Sequence, residues 1–414
     1  MNSPIRKKSN NFNTSGSILR KKRFLPFLIT MCFGSANDNI FKNALIIIIA
    51  FKAGAQLAIQ PDVLINIAAG LLIAPYLFFS ATAGQLADKF EKSFLIKTIK
   101  LVEIAIMVVA LFAFLSNSIY LLLFLLFLMG TQSAFFGPVK YSIMPVHLKK
   151  NEIVTGNAIV EMATFIAILA GTITGGLLAK IQHANMIIPV VLILMAIVGY
   201  FASRFIPYAK AASPNLKINL NIFAETIKIV KMAKQNRTVF LSILAISWFW
   251  LIGAAYLTQL PQYTKQYLNG NETVVTFLLA SISVGIGLGS ILCEKLSNKK
   301  IELGLVPIGS IGLAVFSLDL AFFNEMSKTS ALIGLQQFLR IPESYRVIID
   351  FFMIGVFGGI FAVPLYTIMQ VKSDEKVRSR IIAVNNIMNA LFMIAASGLA
   401  ILCISMFNLS IGRF

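Results

Sequence analysis

SIYLLLFLLFLMGTQSAFFGPVKYSIM, residues 118–144, runs twenty-two residues before its first charge, Lys140. As a helix rising 1.5 Å per residue, that run crosses the roughly 30 Å of hydrocarbon in a bilayer. It is too long, and too uniformly apolar, for the alternating strands of about ten residues that build an outer-membrane barrel. Working outward, similar windows fall near 24–51, 62–87, 94–115, 118–145, 154–179, 185–206, 238–264, 273–296, 302–323, 347–370 and 380–410. Eleven spans are therefore predicted. Apolar residues make up 57% of the 414 and charged ones 13%, against about 25% charged in soluble chains, and mean hydropathy is +0.82. The fold class that follows is an all-α polytopic membrane protein.

A net charge of +19 invites a nucleic-acid reading, but the placement of the charges argues against it. With the basic tail inside, 28 of the 36 Lys and Arg residues gather on the cytoplasmic side, in the tail, around 89–100, around 140–150, over 204–237, at 295–300 and at 372–380. That is the positive-inside pattern. Residues 1–23 form a polar basic tail with no apolar run and cleavage site of a signal peptide after it, and they are expected to stay in the cytoplasm. Cys32, Cys293 and Cys403 sit in or beside apolar segments at unrelated spacings, which is neither a disulfide framework nor a metal site, so they are read as packing residues. In the connection 207–237, Ile222, Phe223, Ile227 and Val230 recur at helical spacing among Lys228, Lys231 and Lys234. This predicts a basic helix on the membrane surface. The domains expected are a tail over 1–23, a six-helix bundle over 24–206, the linker over 207–237 and a second bundle over 238–414, with five spans.

The two halves echo each other. GQLADKF (84–90) is answered by SILCEKL (290–296), FFGPVKYSIM (135–144) by FAVPLYTIM (361–369), and Asn157 with Glu161 by Asn385 with Asn389. Three echoes in the same order are what a duplicated bundle leaves behind. The first echo pairs Asp88 and Lys89 with Glu294 and Lys295. Gly84 permits close helix contact, and a carboxylate at a tight turn forms contacts that break when the bundles rock.

Charges at mid-membrane cost about 2.5–3.5 kcal/mol on insertion scales, so they need a reason. Span 1 carries Asn37, Asp38, Asn39, Lys42 and Asn43. Asp38 and Lys42 lie on one face, where they neutralise each other or line a translocation cavity. Lys140 follows Gly137-Pro138, where proline frees carbonyls toward a cavity and lysine is a point charge for phosphate; its plain alternative is a positive-inside residue. Glu161 is paired with Lys140 as a gate or is simply packed. Glu103, Asp319 and Asp350 are weaker candidates. Gln259, Tyr366, Asn385, Asn386 and Asn389 supply neutral polar groups from the second half. Trp248, Trp250 and Tyr256 form an interfacial belt or line an acyl-chain route. GIGLGS (285–290) follows no strand and lies inside an apolar span, so it is read as close helix packing, not a dinucleotide loop.

GQLADKFEK (84–92) resembles the signature of the major facilitator superfamily. FGSANDNIFKNAL in span 1, FFGPVKYSIMP in span 4, GNAIVEMATFIAILAGTITGG in span 5, GIGLGSILCEKLS in span 8 and FGGIFAVPLYTIMQ in span 10 together resemble its lysophospholipid transporter family. They are most similar to the transporter module that in some bacteria is fused to an acyltransferase and acyl-carrier-protein synthetase. The likeness runs from about Phe24 to about Leu409. It implies the major facilitator fold, a place in the bacterial inner membrane, lysophospholipid as substrate, membrane lipid and such an enzyme as partners, no cofactor, and a functional role for Asp38. Members have twelve spans, so this chain is expected to be a fragment lacking the twelfth helix or a decayed product, with its C-terminus outside. Enzyme chemistry has no support: His147 and His183 lack the His-x4-Asp acyltransferase spacing, and there is no P-loop, zinc motif or nucleophile elbow. The alternatives are a permease for another drug or metabolite and a non-transporting partner of a lipid acyltransferase.

Overall fold

A computed structural model describes residues 18–52, 60–323, 326 and 331–403. Among them the chain is helical, with an isolated β-bridge between Gly270 and Ile333 and no strand. The spans are α1 (Leu25–Lys52), α2 (Pro61–Lys89), α3 (Lys92–Leu115), α4 (Ile119–His147), α5 (Ile153–Leu178) and α6 (Ala184–Arg204). A surface helix α7 (Ile222–Gln235) precedes α8 (Arg237–Tyr267), α9 (Glu272–Leu296), α10 (Leu305–Ala321), α11 (Pro342–Lys372) and α12 (Arg378–Ile401). Each expected window thus contains a helix. Nine of the described helices are long and apolar enough to cross a membrane; α10 is apolar but shorter, and α1 is long but carries the polar cluster around Asp38. The tail over 1–17 with Arg6, Lys7 and Lys8, the outer-side Lys328 and Arg413, and the end of the last window lie outside the described residues.

Local chemistry sets the ends. Asn221, Asn236 and Asn271 accept hydrogen bonds from the first-turn amides of α7, α8 and α9, and Glu91 caps α3 through Ser93 and Phe94. Proline at N1 starts α2 and α11 without loss, since that amide has no helical partner. Internal prolines at 138 and 364 sit in the two echoing segments.

Small residues bring the helices together, as expected where lipid leaves little hydrophobic drive for association. The GIGLGS run lies wholly within α9. A Cβ on Gly285 would meet the α11 backbone at Gly355 Cα and Val356 N, both 3.0 Å away, and one on Gly289 would strike the carbonyl of Val356. In the first half, Gly171 and Gly175 of α5 face the backbone of α1 at Ala36 and Ile40. Across the halves α5 packs on α9 and α2 on α12.

Not every lysine expected to flank a span does so. Lys100 is 1% exposed, inside the first half, with its ammonium paired to Glu103 at 2.5 Å and set 5.3 Å from the Phe136 ring. Lys92 and Arg380 are also buried. A charge in the first turns of a span reads like a boundary residue in one dimension, but a neighbouring carboxylate lets it be buried.

Replacing Gly285 by leucine is expected to wedge α9 from α11, lowering stability by about 1–3 kcal/mol, whereas Gly253→Ala, where an added Cβ meets nothing within 4 Å, is expected to be neutral. Thermal unfolding of the two purified variants in detergent checks the contrast.

Candidate functional site

Three layers of polar side chains run through the molecule. The first lies inside the first half, on α1, α3 and α4. Asp38 accepts a 2.6 Å hydrogen bond from Ser133, while its second oxygen has no partner. Lys42 turns to Asn39 at 3.1 Å, and among the described residues no ion pair joins it to Asp38, so the simple neutralisation anticipated for that pair is not what the structure shows. Asn39 and Asn43 bond back to α1 carbonyls, and Asn43 reaches Thr172 of α5 at 3.2 Å. Next to Asp38, Asn37 donates to Glu103 at 2.9 Å, which ties this layer to the Lys100 pair. The side-chain oxygens of Asn37 and Gln132 are buried without hydrogen-bond partners. Buried acceptors left unpaired are costly, so the cluster holds hydrogen-bonding capacity in reserve.

The second layer joins the halves. Tyr141 of α4 and Tyr366 of α11 stack with centroids 4.7 Å apart and planes 7° from parallel. Tyr141 donates to Glu161 at 2.8 Å, and Trp250 of α8 donates to the Tyr366 hydroxyl at 3.0 Å. Lys140 donates to Thr164 at 3.0 Å and lies 4.9 Å from the Tyr141 ring. The expected Lys140–Glu161 ion pair does not form among the described residues; Tyr141 takes the carboxylate instead, because its hydroxyl reaches Glu161 within the fully buried interface. Lys140 is left as a buried cation with neutral neighbours at contact. Gly137 abuts the Asn386 amide, Asn389 accepts from Ser247 at 2.9 Å, and Asn385 is buried beside Asn386 on α12.

The third layer lies at the linker end. Asp88 is fully buried and accepts from the backbone N–H of Ser379 at 3.0 Å, the N–H of Arg380 at 3.4 Å and Arg380 Nε at 2.9 Å. A carboxylate taking an arginine and two amides at a helix start is well compensated for burial. A Cβ at Gly84 would come within 2.8 Å of Ala383 Cβ and 2.9 Å of Arg380 Cα, so only glycine permits this approach without displacement. At the echo of this corner, Glu294 accepts from Thr155 of α5 at 2.8 Å. Between the two corners Asn157 and Gln370 exchange a reciprocal pair of amide hydrogen bonds, 3.0 and 2.9 Å, with Thr367 also accepting from Asn157 at 3.0 Å.

Gly84, Asp88 and Glu294 thus meet the opposite half, while Lys89 stays beside Phe90 and Lys295 is exposed on the surface. The base that answers Asp88 is Arg380, from the other half. In the sequence Arg380 reads only as one of the flanking charges, since no spacing connects residues 292 apart. Asn157 was noted only as an echo of Asn385, and its pairing with Gln370 has no local signal. Asp319 forms an exposed pair with Arg346 at 2.7 Å, a surface contact, while Asp350 is buried nearby. Gln259 lines a cavity of about 590 Å³ with Trp248, Tyr256, Ser317, Leu318 and Phe351, between α8, α10 and α11.

Residues 27–397 match the family model of the Major Facilitator Superfamily. A lysophospholipid transporter LplT of Serratia proteamaculans is 25% identical over 334 residues, 79% of this chain and 76% of its own length. One from Escherichia coli O139:H28 is also 25% identical, over 77% and 74%. Among solved structures, the major facilitator transporter FucP in its outward conformation aligns with TM-score 0.69 at 12% identity over 95% of each chain. A bacterial homologue of the iron transporter ferroportin aligns at 0.66 and 13%, over 94% and 92%.

Removing the guanidinium by Arg380→Ala leaves Asp88 buried with its two backbone amides but no counter-charge, a cost on the order of 3–5 kcal/mol to the closed linker end. Spin labels at positions 89 and 376 are expected to report a longer, broader distance in this variant, with Arg380→Lys intermediate.

Proposed function

The chain belongs to the Major Facilitator Superfamily, with its match running over residues 27–397, and from that membership we propose that it carries lysophospholipids across the bacterial inner membrane. The observation that carries the substrate class is Lys140: a buried ammonium, held by Thr164 and a tyrosine face, with no ion pair among the described residues. Burying a cation with no carboxylate at contact is expensive; Glu161, the carboxylate of this layer, is held by Tyr141 instead, and a lipid phosphate supplies the missing direct pair. Lysine meets phosphate as a point charge, tolerant of headgroup orientation. The likeness to lysophospholipid transporters over 79% of this chain supports the same reading.

Asp38, with one free carboxylate oxygen, and Asn39 and Lys42 beside it form the headgroup's second contact region. A zwitterionic headgroup has an amine for the carboxylate and a phosphate for the lysine. Glu161, Tyr366, Asn385 and Asn389 complete the polar surface of the second layer, and Gln259 with Trp248 and Tyr256 lines an apolar recess suited to an acyl chain.

The lysine and arginine distribution assigns the linker end, and the tail before α1, to the cytoplasm. In that orientation the contacts of Asp88, Glu294 and Asn157 form a closed cytoplasmic gate. Rocking of the six helices before the linker against those after it breaks these contacts and exposes Lys140 to the other side. A lysophospholipid delivered inward is an acyl acceptor, so an acyltransferase, fused or associated, is the enzyme class that consumes it, with an acyl-carrier-protein synthetase supplying the acyl donor.

In sealed vesicles given fluorescent lysophosphatidylethanolamine on one side, the protein is expected to protect the lipid from an impermeant quencher, and Asp38→Ala to abolish protection without loss of insertion. Near-normal flux in that variant removes Asp38 from the route. Lys140→Gln is expected to cost phosphate-bearing lipids about 1.5–3 kcal/mol, roughly tenfold to a hundredfold, and to spare neutral analogues; equal losses for both exclude headgroup contact.

A further inference from the structure

The connection between α6 and α8 does more than join two halves: it is bonded to both of them at the end where they meet. Near its start, the N–H of Ala209 donates to Glu91 at 2.6 Å and its carbonyl accepts from Lys92 N–H at 3.1 Å. Burial raises the Glu91 carboxyl, but the amides of Ala209, Ser93 and Phe94 outweigh it and hold the group below the ordinary carboxylate range. Ser213 then spans the gap. Its N–H donates to the Asp88 carbonyl at 2.7 Å, and its hydroxyl donates to the Lys376 carbonyl at 2.9 Å, the same carbonyl that receives Arg380 Nη2. One linker residue therefore touches both the turn that presents Asp88 and the turn that presents Arg380. Asn219 exchanges two hydrogen bonds with the Gln85 side chain, 2.8 and 3.0 Å, and Asn236 donates to the Lys372 carbonyl at 3.3 Å.

Helix α7 continues this strap and rests against α2, α8 and α12, hence against both halves. Its inner face is Glu225, Ile229 and Ala233, at most 1% exposed. Its outer face is apolar and bare, with Phe223 76% and Ile227 58% exposed, and Leu220 just before it is 79% exposed. Lys217, Lys228, Lys231 and Lys234 stand exposed around that face, and its acid, Glu225, is turned inward with one oxygen 3.5 Å from Lys228. Bare aromatic and aliphatic side chains ringed by lysines suit the boundary between headgroups and acyl chains of an anionic leaflet, where each lysine adds electrostatic attraction. An acidic protein partner is the other occupant the charge allows, but the face lies at the rim of the linker end, beside helices that traverse the bilayer.

We propose that the outer face of α7 docks on the anionic cytoplasmic leaflet, and that this docking holds residues 209–219 as a strap across the closed gate, so that anionic lipid favours the closed cytoplasmic end. The inference rests on the cytoplasmic assignment of the linker and is independent of which solute is carried. Its opening step must break the Ser213 bridge between the Asp88 and Lys376 carbonyls.

The test uses the full chain reconstituted in vesicles of phosphatidylcholine alone or with phosphatidylglycerol added. A Phe223→Trp variant, read against the background of Trp248 and Trp250, is expected to be quenched by brominated acyl chains several-fold more strongly when phosphatidylglycerol is present. Replacing Lys228, Lys231 and Lys234 together by glutamine is expected to erase that difference. Spin labels at 89 and 376 are expected to show the closed population growing several-fold with phosphatidylglycerol, and Ser213→Ala to keep the quenching but lose this gain. Equal quenching in both compositions, or quenching that survives the triple lysine change, overturns the docking. A closed population indifferent to lipid, or a Ser213→Ala variant that responds like the parent, overturns the strap. Neither readout measures transport, so a failed lysophospholipid assay leaves this result standing on its own.

Discussion

Hydrocarbon cannot hydrogen-bond, and everything else in this molecule follows from that constraint. Each backbone amide must be satisfied within its own segment, so the chain crosses as helices. With little hydrophobic drive between those helices, close approach depends on residues with almost no side chain. Gly285 against Gly355, and Gly171 and Gly175 against α1, set where the backbones touch. Polar side chains then have two permitted places, the aqueous rims and the protected interior between helices.

The interior groups are distributed unevenly. The Asp38, Glu103 and Lys100 cluster belongs to the first half alone, and no described helix of the second half donates to it. The Tyr141–Tyr366 stack and the Asp88–Arg380 contact belong to both halves and exist only while the halves are together. The first kind of contact survives rigid-body rocking, and the second kind must be exchanged. A buried ion pair is a weak source of net stability but a strong penalty when one partner is withdrawn. Asp88 and Arg380 are therefore better suited to defining a state than to strengthening the fold. The linker enters the same balance through Ser213, which shares acceptors with that pair.

Much of the fold was legible because the bilayer imposes a length. Helices α1 to α6 and α8 to α12 each overlie an apolar window, and the surface helix α7 was visible from Phe223, Ile227 and the lysines around them. The candidate site was legible in part. Asp38, Lys140 and Glu161 stood out because charges in apolar runs are costly, and all three sit in polar layers, Lys140 and Glu161 buried and Asp38 half-buried. Their partners were not legible: Ser133 rather than Lys42 for Asp38, Thr164 rather than Glu161 for Lys140, Tyr141 for Glu161. Lys100 was misplaced as a rim residue, since hydropathy near a span's end does not distinguish a lysine that snorkels outward from one that folds inward to a carboxylate three residues on.

By itself, the sequence determined the number and limits of the apolar helices, the side on which basic residues gather, the echo between halves and the few charges that burial makes conspicuous. These are properties of windows of about twenty residues, and hydropathy reads them directly. Only the tertiary structure decided which residues meet across the halves: Arg380 on Asp88, Gln370 on Asn157, Tyr366 on Tyr141, Ser213 between two carbonyls. Such pairs are separated by up to 292 positions along the chain, and their choice depends on how helices rotate and approach at their glycines, which no local pattern encodes.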